Sequence, residues 1–277
     1  MKFRVRHEIV LALFLIAVYA AQDFGQRIAI LTPDAKPLST AFAEKLSDAL
    51  REKLRVVDPS AAESAAKSVK IEDPFNLTSD QAKLIGTVIG SDFFILIKAA
   101  TQRRSSSARP NYFEAHAAIY LVNSRTGFLD HWTLISKNGD TAGDAEKLLL
   151  NSAGDAANAL IQIIENAKLD LATAPEFEAF DPDSKAMRPA MPFKRIKPEY
   201  TQTAYLYDVT ATIDAEVGID ANGDVKRIDI VRWAGFGLDE AVIAAIKQMN
   251  WRRGEKNGKP LPMSILLRYN FTKIEKE

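Results

Sequence analysis

A chain of 277 residues, 47% hydrophobic and 26% charged, is long enough for two packed domains and too ordinary in composition for disorder or a polytopic membrane protein. Lys+Arg and Asp+Glu both number 36, so the net charge is zero and binding to nucleic acid or anionic lipid would need a local patch. Cysteine is absent, which excludes disulfides, thiolate metal sites, cysteine nucleophiles and a lipid-bearing cysteine.

Lys2, Arg4 and Arg6 precede an apolar run from Ile9 to Ala21, shorter than the roughly 20 residues that span a bilayer. Val18-Tyr19-Ala20 fits a small-x-Ala cleavage pattern. Residues 1–20 therefore read as a signal peptide or a short signal anchor, and the expected location is the periplasm, with or without an inner-membrane anchor.

Residues 27–168 form the next unit. Ile28 to Leu31 is a short strand ended by Pro33, and Ser39 is a candidate cap for a helix with Phe42, Leu46, Ala49 and Leu50 on one face. A strand at Val56-Val57 and an Ala-rich helix follow. Thr78-Ser79-Asp80-Gln81 is a capping box opening a helix that Gly90 closes. Phe93–Ala99, Tyr112–Val122 and Phe128–Ile135 read as strands, with a polar loop over 101–111 carrying Arg103, Arg104 and Arg109. One long amphipathic helix is expected from Ala142 to Lys168. The order β-α-β-α-α-β-β-β-α predicts a layered α/β domain with a mixed sheet.

Residues 169–197 carry Pro175, Pro182, Pro189 and Pro192 among mixed charges and read as an extended linker, with Phe177, Phe180 and Phe193 able to dock it. From residue 198 the pattern changes again. Ile213, Ala215, Val217 and Ile219 alternate with polar residues, and a second alternating run starts at Val225. Between them, Asp220, Asn222 and Gly223 predict a structural turn with Gly223 at positive φ. A helix follows from Leu238, with Asp239 and Glu240 in its first turn and Lys247 in its last. The loop Glu255–Pro260 leads to a final strand, Met263–Phe271.

Tyr200, Ala204, Asp220, Gly223, Val225, Asp239-Glu240-Ala241, Asn257-Gly258-Lys259-Pro260, Tyr269 and Phe271 stand in the order of the TonB C-terminal family, which residues 198–271 resemble. The match departs from the family at Thr201, Ala211, Met249 and Arg253. The resemblance implies, for residues 198–277, a three-stranded antiparallel sheet packed with a helix, and an α+β chain overall. It also implies an extended peptide from an outer-membrane transporter or other envelope protein adding to the last strand by β-augmentation. Met263, Ile265, Leu267, Tyr269 and Phe271 are assigned to that contact. An inner-membrane motor is a further implied partner if the leader stays anchored. Residues 27–168 resemble, through Ile28–Pro33, Asp80-Gln81-Ala82, Ile89–Asp92 and Thr126-Gly127, the envelope domains of TolB N-terminal regions and CsgG-like lipoproteins.

His116 and His131 fall on neighbouring strands without a paired acid motif, and read as structural residues in preference to a zinc site. Asp220-Ala-Asn222-Gly-Asp224 fails as a calcium loop, because Val225 and Val231 stand where Gly and Glu are needed. No phosphate loop, nucleophile elbow or carboxylate pair stands out. The expectation is a non-enzymatic binding protein with no cofactor, no nucleic-acid partner and no small-molecule substrate. Two readings follow: peptide binding in TonB-dependent transport, or an envelope scaffold or assembly factor led by the N-terminal domain without energy transduction. Deleting residues 198–277 would separate them.

Overall fold

The computed structural model describes residues 26–166 and 177–273; the leader at 1–20 and the start of the linker at 169–176 lie outside them. The first sheet begins with β1 (Arg27–Leu31), whose last four residues are buried. Pro37 fixes φ at the first position of α1 (Pro37–Leu50), so the helix starts ahead of Ser39 with Lys36 as its N-cap residue. Ser39 is therefore no cap. Buried in the first turn, its Oγ accepts the Ala99 N–H at 2.9 Å and ties the helix to a strand.

β2 (Arg55–Val56) pairs in parallel with β1. α2 (Pro59–Ser68) and α3 (Ser79–Ile89) follow, the latter opened by the Thr78/Gln81 capping box and closed by Gly90 at φ 71°. β3 (Phe93–Arg104), β4 (Tyr112–Asn123) and β5 (Leu129–Gly139) complete the order β2-β1-β3-β4-β5, parallel on one side and antiparallel on the other. The mixed sheet is the expected one, but β3 continues through Arg104, so Thr101–Arg104 are ladder residues. The expected long helix is two, α4 (Ala142–Asn151) and α5 (Ala153–Asn166). At the break, Ser152 Oγ donates to the Leu149 carbonyl at 2.6 Å, bonding back on the preceding turn.

The linker after residue 177 is not an extended arm. It supplies β6 (Glu178–Ala179), β7 (Met187–Arg188) and β8 (Met191–Pro192), each paired with a strand of the C-terminal module. A short helix, α6 (Gln202–Leu206), precedes the hairpin of β9 (Ala211–Ile219) and β10 (Val225–Arg232), then α7 (Leu238–Lys247). β11 (Trp251–Arg252) pairs with β8. The expected loop at 255–260 is a second hairpin, β12 (Gly254–Lys256) and β13 (Lys259–Leu261). Asn257 and Gly258, at φ 51° and 76°, form the turn that two-residue hairpins favour. β14 (Met263–Phe271) closes the module in the order β10-β9-β14-β6. Three antiparallel strands are as expected; β6 adds a fourth, in parallel.

Two cores result. One face of the first sheet packs Ile95, Ile97 and Ile119 against α1, α4 and α5. The other core is shared. It joins Leu96, Tyr120 and Val122 of the first sheet, with α2 and α3, to Ile213, Ala215, Val217, Trp233 and α7 of the C-terminal module. Trp233 is 1% exposed, lies 5.8 Å from Tyr120 between ring centroids, and donates Nε1–H to the Gly127 carbonyl at 3.2 Å. Asn76 Nδ2 donates to the carbonyls of Thr212 (2.8 Å) and Trp233 (2.7 Å), and its Oδ1 accepts the Thr212 N–H at 3.0 Å. The sheets are thus joined by packed aromatics and satisfied backbone groups rather than by a tether.

Candidate functional site

The site is the outer edge of β14, and backbone parity defines it. Phe180 N–H donates to the Ser264 carbonyl at 3.2 Å, so Ser264 directs its polar groups away from β9 and towards β6. Residues alternate along a strand, so the groups of Leu266, Arg268 and Asn270 point to the same outer edge. The other hairpin partner agrees: Asp220 N–H donates to the Asp224 carbonyl at 2.9 Å, placing the even residues of β9 towards β10 and its odd ones towards β14. Among the described residues β14 has two strand neighbours, β9 over its full length and β6 at Met263 and Ser264 only. Beyond Ser264 the edge is open, except that Arg195 Nη2 reaches the Arg268 carbonyl at 3.4 Å.

The side chains assigned from sequence face the wrong way for a partner. Met263, Leu267 and Phe271 are buried, and Ile265 and Tyr269 pack on the same core against β9 and α7. The reason is the register: these residues lie opposite Ile219, Val217, Ala215, Ile213 and Ala211, the apolar set of β9. The opposite face carries Ser264, Leu266, Arg268 and Asn270; Ser264 is buried, Arg268 and Asn270 are exposed, and Leu266 is 58% exposed. Strict alternation is compatible with either set facing the core; the position of α7 shows which is inside.

Behind that outer face lies a buried acid. Asp214 is 3% exposed, and Arg268 forks onto it with Nε–Oδ1 at 2.6 Å and Nη2–Oδ2 at 2.9 Å. Arg232 Nε adds a contact at 3.2 Å. These bonds link β9, β14 and β10 side chain to side chain, and hold Arg268 beside the open edge.

The turn residues stand where the hairpin needs them. Asp220 Oδ1 accepts the N–H groups of Asn222 (2.8 Å) and Asp224 (2.9 Å), and Gly223 sits at φ 98°. Those backbone bonds hold the Asp220 carboxyl below its ordinary value, with Lys226 assisting.

Sequence reasoning missed a polar knot at the junction of the sheets. Glu114 Oε1 accepts from Tyr207 Oη at 2.6 Å and Ser136 Oγ at 2.5 Å, while Oε2 accepts from Arg104 Nε at 2.7 Å and Gln102 Nε2 at 3.1 Å. Burial works to raise the Glu114 carboxyl, but the bonds from Ser136, Tyr207 and Arg104 outweigh it and hold it at about 2. Tyr207 is pushed up to about 12 by burial and by its bond to the Glu114 carboxylate. His116 stacks edge-on against Tyr207, and burial pushes it down to about 4. The register sets His116 opposite Ser136 and His131 opposite Leu121, so the two histidines are not a cross-strand pair. Among the described residues no group of three His, Cys, Asp or Glu side chains could hold a metal.

Solved structures share limited likeness with the chain. A hypothetical protein of Chlamydia trachomatis is 13% identical with a TM-score of 0.34, covering 51% of this chain and 99% of that one. A lipoprotein of Neisseria meningitidis is 17% identical with a TM-score of 0.33, covering 51% and 99%. A putative lipoprotein of Caulobacter crescentus is 13% identical with a TM-score of 0.27, covering 52% and 93%. No curated protein matches the chain. Residues 196–272, which contain β9, β10, α7 and β14, match the family described as Gram-negative bacterial TonB protein C-terminal, and the C-terminal module is a domain of that family.

Proposed function

We propose that this is a periplasmic envelope protein whose C-terminal module binds an extended segment of an envelope partner, an outer-membrane transporter in the first instance, by strand addition along β14. The observation that carries the reading is the edge from Leu266 to Asn270, which no strand among the described residues pairs, in a TonB-type domain. Main-chain bonds from Leu266 and Asn270 supply affinity, and Leu266 and Arg268 supply side-chain contacts on the outer face. The test follows from parity. Proline at Leu266 removes an N–H that points to the open edge and leaves the β9 ladder intact, whereas proline at Ile265 or Leu267 would break the sheet itself. A photo-crosslinking residue at Leu266 should capture one envelope protein in cells, and Leu266→Pro should abolish co-purification of that protein from the full chain. Unchanged co-purification by the folded proline variant would overturn the reading.

A second reading has its own support. The core shared between the sheets packs the module on the N-terminal domain and does not leave it at the end of a long arm. That suits an envelope scaffold or assembly factor without energy transduction. In that case the main partner would stay bound to the Leu266→Pro chain.

A further inference from the structure

The open edge is not empty along its first two residues: the chain's own β6 lies there, parallel to β14, with Glu178 opposite Met263 and Ala179 opposite Ser264. Glu178 N–H donates to the Pro262 carbonyl and Phe180 N–H to the Ser264 carbonyl, both at 3.2 Å. Glu178 pairs with Lys256 Nζ. The Phe177 ring covers Gly218 on the outer face, where a Cβ would come within 2.7 Å of it, and the Arg227 guanidinium sits 5.2 Å from the ring centroid. Yet both residues of β6 are exposed. A two-residue, exposed strand held by two backbone bonds stands at the low end of the local-stability range.

We propose that Phe177–Phe180 is a resident strap, a copy in the same chain of the strand that the module accepts, and that the partner's segment replaces it. The proposal rests on the strand-addition reading and adds the kind of segment that fits. It runs parallel to β14 and brings an aromatic ring to the Gly218 and Arg227 platform. A carboxylate for Lys256 comes next, then a small residue, and the segment continues along Leu266 to Asn270. The strap supplies the first part of that pattern as Phe-Glu-Ala-Phe and then turns away at Asp181–Ser184. Four residues can hold the edge against non-specific pairing, and a longer segment of the same pattern can displace them, because it gains the bonds beyond Ser264 that the strap does not make.

The experiment uses the full chain and a dye-labelled synthetic peptide of residues 177–184. Glu178→Pro with Phe180→Pro removes both strap donors; Gly218→Ala, which pushes the Phe177 ring off its platform, is an independent way to loosen the strap. Fluorescence anisotropy should show the peptide binding the double-proline chain at least tenfold more tightly than the unmodified chain, with Gly218→Ala measured for strap release by faster amide exchange at Phe180, whose N–H the strap bonds to Ser264. Equal affinity for both chains, or no binding to either, would overturn the strap. Crosslinking from Leu266 separates the two ideas. A partner captured with equal yield from strapped and unstrapped chains sinks the strap and leaves strand addition standing. Tighter peptide binding with no partner captured from either chain sinks the transporter reading and leaves the strap.

Discussion

Tyr207→Phe tests whether the two sheets are one thermodynamic unit. The substitution keeps the ring against His116, 4.6 Å between centroids, and against Phe236 at 6.1 Å. It deletes only the hydroxyl that donates to Glu114 Oε1 at 2.6 Å, a bond between residues 93 apart that joins β4 to the segment after α6. A hydrogen bond to a charged acceptor contributes about 1.5–3 kcal/mol. Glu114 keeps Ser136, Gln102 and Arg104, so the carboxylate is not orphaned and the expected loss at pH 7 is about 2 kcal/mol. Urea unfolding followed by Trp fluorescence, with coupling read from a cycle against Glu114→Gln, should give about 1–2 kcal/mol of pairwise energy. The loss should shrink as the pH approaches 2, where the carboxylate itself takes up a proton. A loss below about 0.5 kcal/mol at pH 7, where such a bond should show, would refute the reasoning. So would a loss of the same size at pH 7 and pH 2.5.

Three further outcomes are expected. Trp233→Ala should cost about 3–5 kcal/mol, because it empties the centre of the shared core, and calorimetry should show one unfolding endotherm becoming two. Asn76→Ala should cost about 2–4 kcal/mol in chemical denaturation, since it leaves two carbonyls and one N–H at the junction without partners. Stability should fall on the acid side in two stages. His116, lowered by burial from 6.5 to about 4, stays neutral in the fold while the unfolded chain takes up a proton, so stability drops as pH falls from about 6.5 to 4. Glu114, lowered from 4.5 to about 2, contributes fully above about 4.5 and loses its contribution as pH falls towards 2. Thermal melts of His116→Asn should flatten the first stage alone.

The elements that the sequence made legible are those whose signal is local. The Thr78/Gln81 capping box, the Asp220–Gly223 turn and the alternation of Ile213 to Ile219 each depend on neighbours within a few residues. What stayed hidden depends on packing between distant segments. Arg104 reads as a loop cation until Glu114, ten residues on, and Leu206 appear beside it. Phe177 reads as linker until Gly218 offers a face without a side chain. The partner-facing half of β14 could not be chosen either, because an apolar residue every second position fits a buried face as well as a docking face. Leu266 was the clue available: it is the one large apolar residue that falls out of phase among Ser264, Arg268 and Asn270.

The two edges of the C-terminal sheet are handled differently, and that bears on how its roles can be separated. At the β10 side, Thr78 bridges Arg232 and the Leu77 carbonyl accepts the Trp233 N–H at 3.3 Å, so the N-terminal domain holds that end. At the β14 side, among the described residues only β6 and Arg195 stand in the way. Deleting residues 198–277 cannot cleanly divide a scaffold role from a peptide-binding role, because Tyr120, Val122 and Trp132 would lose the module that packs on them. An exposed patch of that kind brings aggregation, which would mimic loss of either function. Leu266→Pro avoids the difficulty, since it acts on a 58% exposed residue and leaves the junction untouched. If the N-terminal domain has a partner of its own, that partner should bind the Leu266→Pro chain within about twofold of the unmodified affinity, as substitutions at sites with no shared contacts allow. A larger loss with an unchanged melting temperature would mean that both partners use the β14 edge.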